Sequence, residues 1–270
     1  MRYQAFVLDL DGTLLGDNDQ INEVNLNAVR SVIQNGYTVT LASGRPHALM
    51  QPYTELLGIT ESIICCNGAY LYDPLEDQVV MSRAFGPEQL LKLLSLLNQH
   101  QLDFTLYSSE GVFAQKSSKH LSELRQKAKS LNSDVPIEII AEISELVGKV
   151  GDVYKLLVSS DDKSQLCELR DTLHSTLQVD LSSPNKLDIT PKDVSKGNAL
   201  NHWLEQRQIP AKSVVAFGDG DNDLSMFDVV GEPVAMENAS PSLKNRANLI
   251  VTDNNGCGIG QYLRMIELES

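Results

Sequence analysis

The sequence predicts an α/β fold, a doubly wound and mostly parallel sheet into which an α+β domain is inserted. Three observations predict it. Short apolar runs at residues 3–8, 38–42, 62–66, 213–217 and 249–251 lack polar alternation, as strands buried on both faces do. Amphipathic helical patterns lie between several of them, so strand and helix alternate along the chain. The middle of the chain reads differently, with the alternating stretches of antiparallel strands.

Taken in order, the run at 3–8 ends at Asp9. Residues 22–35 then place Val24, Ala28, Val29, Val32 and Ile33 at helical spacing and stop before Gly36. The runs at 38–42 and 62–66 follow as strands. Helices are expected at 87–100, 120–131 and 163–177, and strands at 104–107, 112–115, 153–159 and 187–189. Ser109-Glu110-Gly111 reads as a hairpin turn. Residues 198–207 and 224–230 return to the helical pattern. On this reading, residues 1–82 and 187–270 form one core, and 83–186 form the inserted domain.

At 270 residues and 42% hydrophobic, the chain can bury a core without a disulfide or a structural metal. Its 22 basic and 36 acidic residues give a net charge of −14. That balance argues against nucleic acid and anionic membrane as partners. A small anionic substrate remains open, provided a cation sits locally. Cys65, Cys66, Cys167 and Cys257 form no CxxC pair, so neither a zinc site nor a disulfide framework is expected. No signal-peptide pattern and no apolar run of membrane-spanning length is present, which predicts a cytoplasmic protein. Composition leaves monomer and homodimer equally open.

In open α/β sheets, ligands bind beyond the carboxyl ends of the strands. Four clusters stand there. Asp9-Leu10-Asp11-Gly12-Thr13-Leu14 follows the first strand, and strand alternation would point Asp9 and Asp11 the same way. Two neighbouring carboxylates repel, so without a cation they would be costly. Ser43-Gly44-Arg45-Pro46 ends the second strand, where a hydroxyl and free N–H groups can hold phosphate oxygens; alone it is equally an ordinary capped turn. Lys196 opens a helix, contrary to the dipole preference for acids there, as a residue serving an anion would; alone it is equally a solvent-facing lysine. Gly218-Asp219-Gly220-Asp221-Asn222-Asp223 gathers hard oxygen donors suited to Mg²⁺. A calcium-binding EF-hand loop would need Gly after Asp223 and Glu at its twelfth position, where Leu224 and Val230 stand.

Together the clusters call for one explanation. Asp9, Asp11 and Asp219 would converge on a hard cation, with Ser43 and Lys196 facing the anion it holds. Those are the parts of phosphoryl transfer through an aspartyl-phosphate.

These residues, in this order, resemble the four motifs of the haloacid dehalogenase-like superfamily. Ser43-Gly44-Arg45-Pro46, Asn67-Gly68-Ala69, Val194-Ser195-Lys196-Gly197 and Val234-Ala235-Met236-Glu237-Asn238-Ala239 are similar to its Cof-type phosphatases. The resemblance implies a Rossmann-like core with a large cap between the second and third motifs. It implies Asp9 as nucleophile and Asp11 as general acid, then base. Mg²⁺ would be held by Asp9, the Asp11 carbonyl and Asp219, with Asp223 and Arg45 supporting. Ser43, Lys196 and Asn222 would grip the phosphoryl group, assisted by backbone N–H groups from Leu10 to Asp11 and at Gly44. The implied partner is a small phosphorylated metabolite. Residues 64–73 and 214–219 look most like bacterial pyridoxal phosphate phosphatases, which makes pyridoxal 5′-phosphate the leading substrate and sugar phosphates the alternative.

Substrate choice is expected in the cap, where Tyr107, Phe113, Asn185 and Lys186 are candidate contacts, each more simply structural. A phosphomutase on the same core would need extra basic groups there. Lys116, Lys119 and Arg125 could supply them but read more simply as a solvated helix face. A metal-binding regulatory module without activity predicts loss of Asp9, Asp11, Lys196 or Asp219, and all four are present. Cys65 and Cys66 are expected near the site, where they could make activity sensitive to oxidation.

Overall fold

The structure, a computed structural model, describes residues 3–115, 118–140, 148–183 and 185–268. The chain divides into two compact units. The first comprises Met1–His47, Tyr53–Met81 and Ser195–Ser270, and the second Ala48–Pro52 and Ser82–Val194.

The first unit is built on a five-stranded parallel sheet. Its strands, in chain order, are β1 (Ala5–Leu8), β2 (Thr38–Leu41), β12 (Val214–Gly218), β13 (Glu232–Met236) and β14 (Leu249–Val251). Their spatial order is β14-β13-β12-β1-β2, so the first strand lies between β12 and β2. All four residues of β1 are buried, as expected of a strand covered on both faces. The helix Glu23–Gln34 starts where the Asn22 side chain accepts the Val24 N–H, and it buries Asn25, Ala28, Val29 and Val32. The helix Lys196–Arg207 is capped by Ser195 and contributes Leu200 and Trp203 to an apolar cluster with Phe227 and Leu243.

Two elements depart from the sequence reading. The run at 62–66 forms β3 (Ile63–Cys65), which joins the parallel sheet through an Ala42–Ile64 bridge. Its main partner is the antiparallel strand β4 (Tyr70–Asp73), followed by β5 (Gln78–Ser82), in a separate three-stranded sheet. The tight turn at 66–68 reverses the chain, so an apolar run that looks like a parallel strand pairs with its own neighbour. Strand β13 was not expected from periodicity. Pro233 within it offers no donor, yet its carbonyl accepts the Asn248 N–H.

The second unit carries a six-stranded sheet in the order β10-β11-β9-β6-β7-β8. The strands are β6 (Asp103–Ser108), β7 (Gly111–Ala114), β8 (Ile137–Ile139), β9 (Val153–Ser159), β10 (Leu177–Ser183) and β11 (Lys186–Pro191). Pairing is antiparallel except between β7 and β8. Strands β6 and β7 meet at Ser108 and Gly111, so the turn is Ser109-Glu110 and Gly111, expected within it, opens β7. The helices Pro87–Gln99 and Lys163–Leu173 bring Leu93, Leu94, Leu97, Leu166 and Leu169 onto one sheet face. Alternation sends Tyr107, Lys155 and Asp188 to the opposite face.

The sequence sets the return to the core at 187, whereas here β11 pairs with β9 and β10 and the chain rejoins the first unit at Ser195. Lys116 lies outside the described residues. Among the described residues, no helix is long and apolar enough to cross a membrane.

Candidate active site

The site begins where β1 ends. The Asp9 N–H still donates to the Phe217 carbonyl at 3.1 Å, extending the ladder by one residue. The chain then turns, with the Thr13 and Leu14 N–H groups donating to the Leu10 and Asp9 carbonyls. Strand alternation therefore stops at Asp9, and the two carboxylates do not point the same way. Asp9 is buried, whereas the Asp11 side chain is 52% exposed and faces Arg45. Arg45 clamps it with two bonds, Nε to Oδ2 at 2.7 Å and Nη2 to Oδ1 at 2.5 Å. The same guanidinium reaches Asp19 Oδ1 at 2.9 Å. Burial would push Arg45 towards the neutral form, but the Asp11 carboxylate more than offsets it and keeps the group charged.

Lys196 is fully buried and lies between two carboxylates. Its Nζ donates to Asp9 Oδ1 at 2.7 Å and to Asp223 Oδ1 at 2.6 Å. Burial alone would lower its pKa, but the charges of Asp223 and Asp9 raise it, so the ammonium persists. The other Asp223 oxygen accepts the Asp219 and Gly220 N–H groups at 3.0 and 3.1 Å, which fixes the loop after β12.

One oxygen each from Asp9, Asp219 and Asp223 lies within 4.8 Å of the others. Three carboxylates thus surround one ammonium. Burial, with the Asp223 charge adding to it, pushes Asp219 up to about 6. Burial also raises Asp9 well above the usual carboxylate range, against the opposing pull of Lys196. Hard oxygen donors crowded this way suit a small divalent cation, whose charge would relieve the repulsion.

Asp219 is oriented by two residues that sequence reasoning did not place. The Thr13 hydroxyl donates to its Oδ1 at 3.0 Å. The Asn238 amide donates to the Gly12 carbonyl at 2.8 Å and approaches Asp219 Oδ2 at 3.5 Å. Gly12 is required twice over. It has φ +79°, and a Cβ there would lie 2.3 Å from Asp219 Oδ2.

Ser43 is buried beyond β2, its Oγ accepting the Arg45 N–H at 3.2 Å. Its backbone is held on both sides, N–H to the Ile64 carbonyl and C=O from the Asn67 N–H. Asn222 sits half-buried on the short turn Asp221–Asp223, and its amide donates to Asn67 Oδ1 at 3.1 Å. Leu10 is buried and Gly44 half-buried on the same two loops. Cys65 and Cys66 are fully buried, and burial pushes the Cys65 thiol up, away from the reactive thiolate.

In the second unit, Phe113 packs into the apolar cluster. Tyr107 is buried, its hydroxyl 2.9 Å from His120 Nε2 and its ring 4.5 Å from the Lys155 ammonium. Asn185 and Lys186 line a cavity of about 400 Å³ together with His120 and Ser160. Lys119 is 92% exposed beside Glu123, and Arg125 donates to the Ile137 carbonyl, as a solvated helix face would.

A family model described as haloacid dehalogenase-like hydrolase matches residues 6–263. The chain is 30% identical over 267 residues to the pyridoxal phosphate phosphatase YbhA of Escherichia coli, covering 97% of this chain and 98% of that protein. It is 27% identical to the 5-amino-6-(5-phospho-D-ribitylamino)uracil phosphatase YwtE of Bacillus subtilis, covering 96% of each. A solved haloacid dehalogenase-like hydrolase from B. subtilis superposes with a TM-score of 0.87 at 26% identity, covering 97% of this chain and 99% of that one.

Proposed function

This chain belongs to the haloacid dehalogenase-like hydrolase family and is a phosphatase, and on that premise we propose a Mg²⁺-dependent hydrolysis of small phosphate monoesters through an aspartyl-phosphate on Asp9, with pyridoxal 5′-phosphate as the leading substrate. The observation that carries the reading is the buried Lys196 ammonium held between Asp9 and Asp223, with Asp219 crowded against them. A buried group of three carboxylates and one cation is short of positive charge, and a nucleophilic carboxylate facing a phosphate needs more of it.

Asp9 attacks phosphorus, and the bond to the ester oxygen breaks as that oxygen takes a proton from Asp11. Water then attacks the phosphoryl group, giving its proton to Asp11 and releasing phosphate and free Asp9. Asp11 is held by Arg45 in the structure, so the acid–base role requires that clamp to open or to share the carboxyl. Asp9, Asp219 and the Asp11 carbonyl would hold Mg²⁺, with Asp223 supporting them; when bound, the ion neutralises charge on the phosphoryl oxygens. Ser43, Lys196, Asn222 and the N–H groups at Leu10 and Gly44 grip those oxygens.

The second unit acts as the substrate-selecting cap in this reading, and Asn185 and Lys186 are the contacts to test. Pyridoxal 5′-phosphate is favoured because a relative bearing that activity in its name matches nearly end to end. The test is phosphate release from pyridoxal phosphate, hexose phosphates, phosphoglycolate, nucleotides and an aryl phosphate, with and without Mg²⁺. Mg²⁺-dependent release is expected, with the highest kcat/KM on pyridoxal phosphate. A higher value on a hexose phosphate transfers the substrate to that class. Isomerised sugar in place of free phosphate would convert the reading to a mutase.

A further inference from the structure

Cys66, Asn67 and Gly68 are three consecutive residues with positive φ, at 49°, 59° and 93°. Such a run persists only where its surroundings over-determine it. Here the surroundings belong to the site. The Cys66 N–H donates to the Arg45 carbonyl at 2.9 Å and the Asn67 N–H to the Ser43 carbonyl at 3.0 Å. Gly68 lies so close to the helix that carries Lys196 that a Cβ would stand 2.1 Å from the Ser195 carbonyl oxygen. The Asn67 side chain is buried and accepts the Asn222 amide at 3.1 Å. One short turn therefore touches the segments bearing Ser43, Arg45, Lys196 and Asn222.

We propose that Asn67 is a positioning residue, which fixes the Asn222 amide for the phosphoryl group and braces the Ser43 loop with its left-handed backbone; this rests on the phosphatase reading above. An amide on a short turn has several rotamers, and a buried acceptor selects one of them. Asparagine meets both demands at this position. It tolerates the left-handed region better than other residues with a Cβ, and it offers a neutral acceptor. Glycine would keep the backbone and lose the acceptor. Aspartate would keep the acceptor and add negative charge near the phosphoryl oxygens.

The test is a double-mutant cycle with Asn67→Gly, Asn222→Ala and the pair, assayed on an aryl phosphate, with inorganic phosphate as competitive inhibitor. Each single variant is expected to lower kcat/KM about tenfold, the size of one lost hydrogen bond. Both should divide that loss between kcat and KM in the same way. The pair should fall no more than about twofold below Asn222→Ala alone, because both variants remove one interaction. Additive losses, or an unimpaired Asn67→Gly beside an impaired Asn222→Ala, overturn the proposal. An unimpaired Asn222→Ala overturns the role given to Asn222 and this inference with it. Asn67→Asp, of the same shape and suited to positive φ, covers the case in which the glycine variant does not fold. It should raise the Ki for inorganic phosphate by about tenfold, and an unchanged Ki overturns the proposal.

Discussion

Each unit buries a lysine, and the two lysines keep different company. In the second unit, Lys155 meets Asp188 at 3.1 Å, both about 5% exposed, with the Tyr107 ring beneath the ammonium. That arrangement is one cation for one anion. In the first unit, Lys196 serves Asp9 and Asp223 while Asp219 crowds the same space. Burying charge is expensive in both places, but only the first leaves it unbalanced. A balanced buried pair calls for no further cation. An unbalanced one is stable only through raised pKa values or with a positive partner from outside, which is the property a metal-assisted site needs.

The difference can be broken experimentally, beginning with the largest effect. Asp9→Asn should cut turnover by ~10³-fold or more while leaving the melting temperature equal or higher, because it removes one of three crowded charges. A variant that is inactive because it has unfolded would erase the contrast. Lys155→Met should do the reverse. It leaves Asp188 buried without its cation and should cost about 3–5 kcal/mol in denaturant unfolding, with kcat/KM of the folded protein unchanged. Lys155→Met combined with Asp188→Leu should recover most of that loss.

Asp11→Asn should lower turnover by ~10²-fold without weakening Mg²⁺ binding, since its carboxylate faces Arg45 and not the crowded group. Full turnover in that variant would remove Asp11 from the chemistry. Mg²⁺ at about 100 times its Kd should stabilise the protein by about 2.7 kcal/mol, read as a shift in melting temperature. Asp219→Asn should abolish the shift and Asp188→Asn should not.

A last effect, seen only below neutral pH, concerns His120, whose pKa is pushed down to about 4 by burial and then by Lys186 and Lys155. The unfolded chain takes up that proton near pH 6.5, the folded chain only near 4. Stability should therefore fall as pH drops through that window and level off below it. His120→Gln should flatten the slope, measured by denaturant midpoint against pH.

Much of the site was legible because parallel sheets put their chemistry at strand ends. Asp9 and Asp219 stand out as acids directly after apolar runs, and Lys196 as a base in a helical first turn. What stayed hidden is pairing across long separations. Nothing local in Arg45 says that it will clamp Asp11, or in Asn238 that it will hold the Gly12 carbonyl. Asn67-Gly68 reads as a turn, but its neighbours Ser43, Ser195 and Asn222 come from three distant segments. In the fold, β3 forms where the apolar run predicts a buried strand, but its antiparallel pairing with β4 stays hidden because apolar content does not distinguish a parallel neighbour from an antiparallel one. Strand β13 was concealed by its proline.

The position of β1 has a consequence for how the molecule is made. Its neighbours are β2 on one side and β12 on the other, and β12, β13 and β14 all follow the second unit in the chain. A nascent chain that has just emerged through Val194 possesses two of the five sheet strands, and neither Lys196 nor Asp219. Closing so long a loop is slow, and Leu8 and Phe6 must wait for Phe217 and Val215 before they are covered. The crowded carboxylates therefore come together only after the second unit has been made, which postpones the electrostatic cost of the site until the later strands of the sheet are available to offset it.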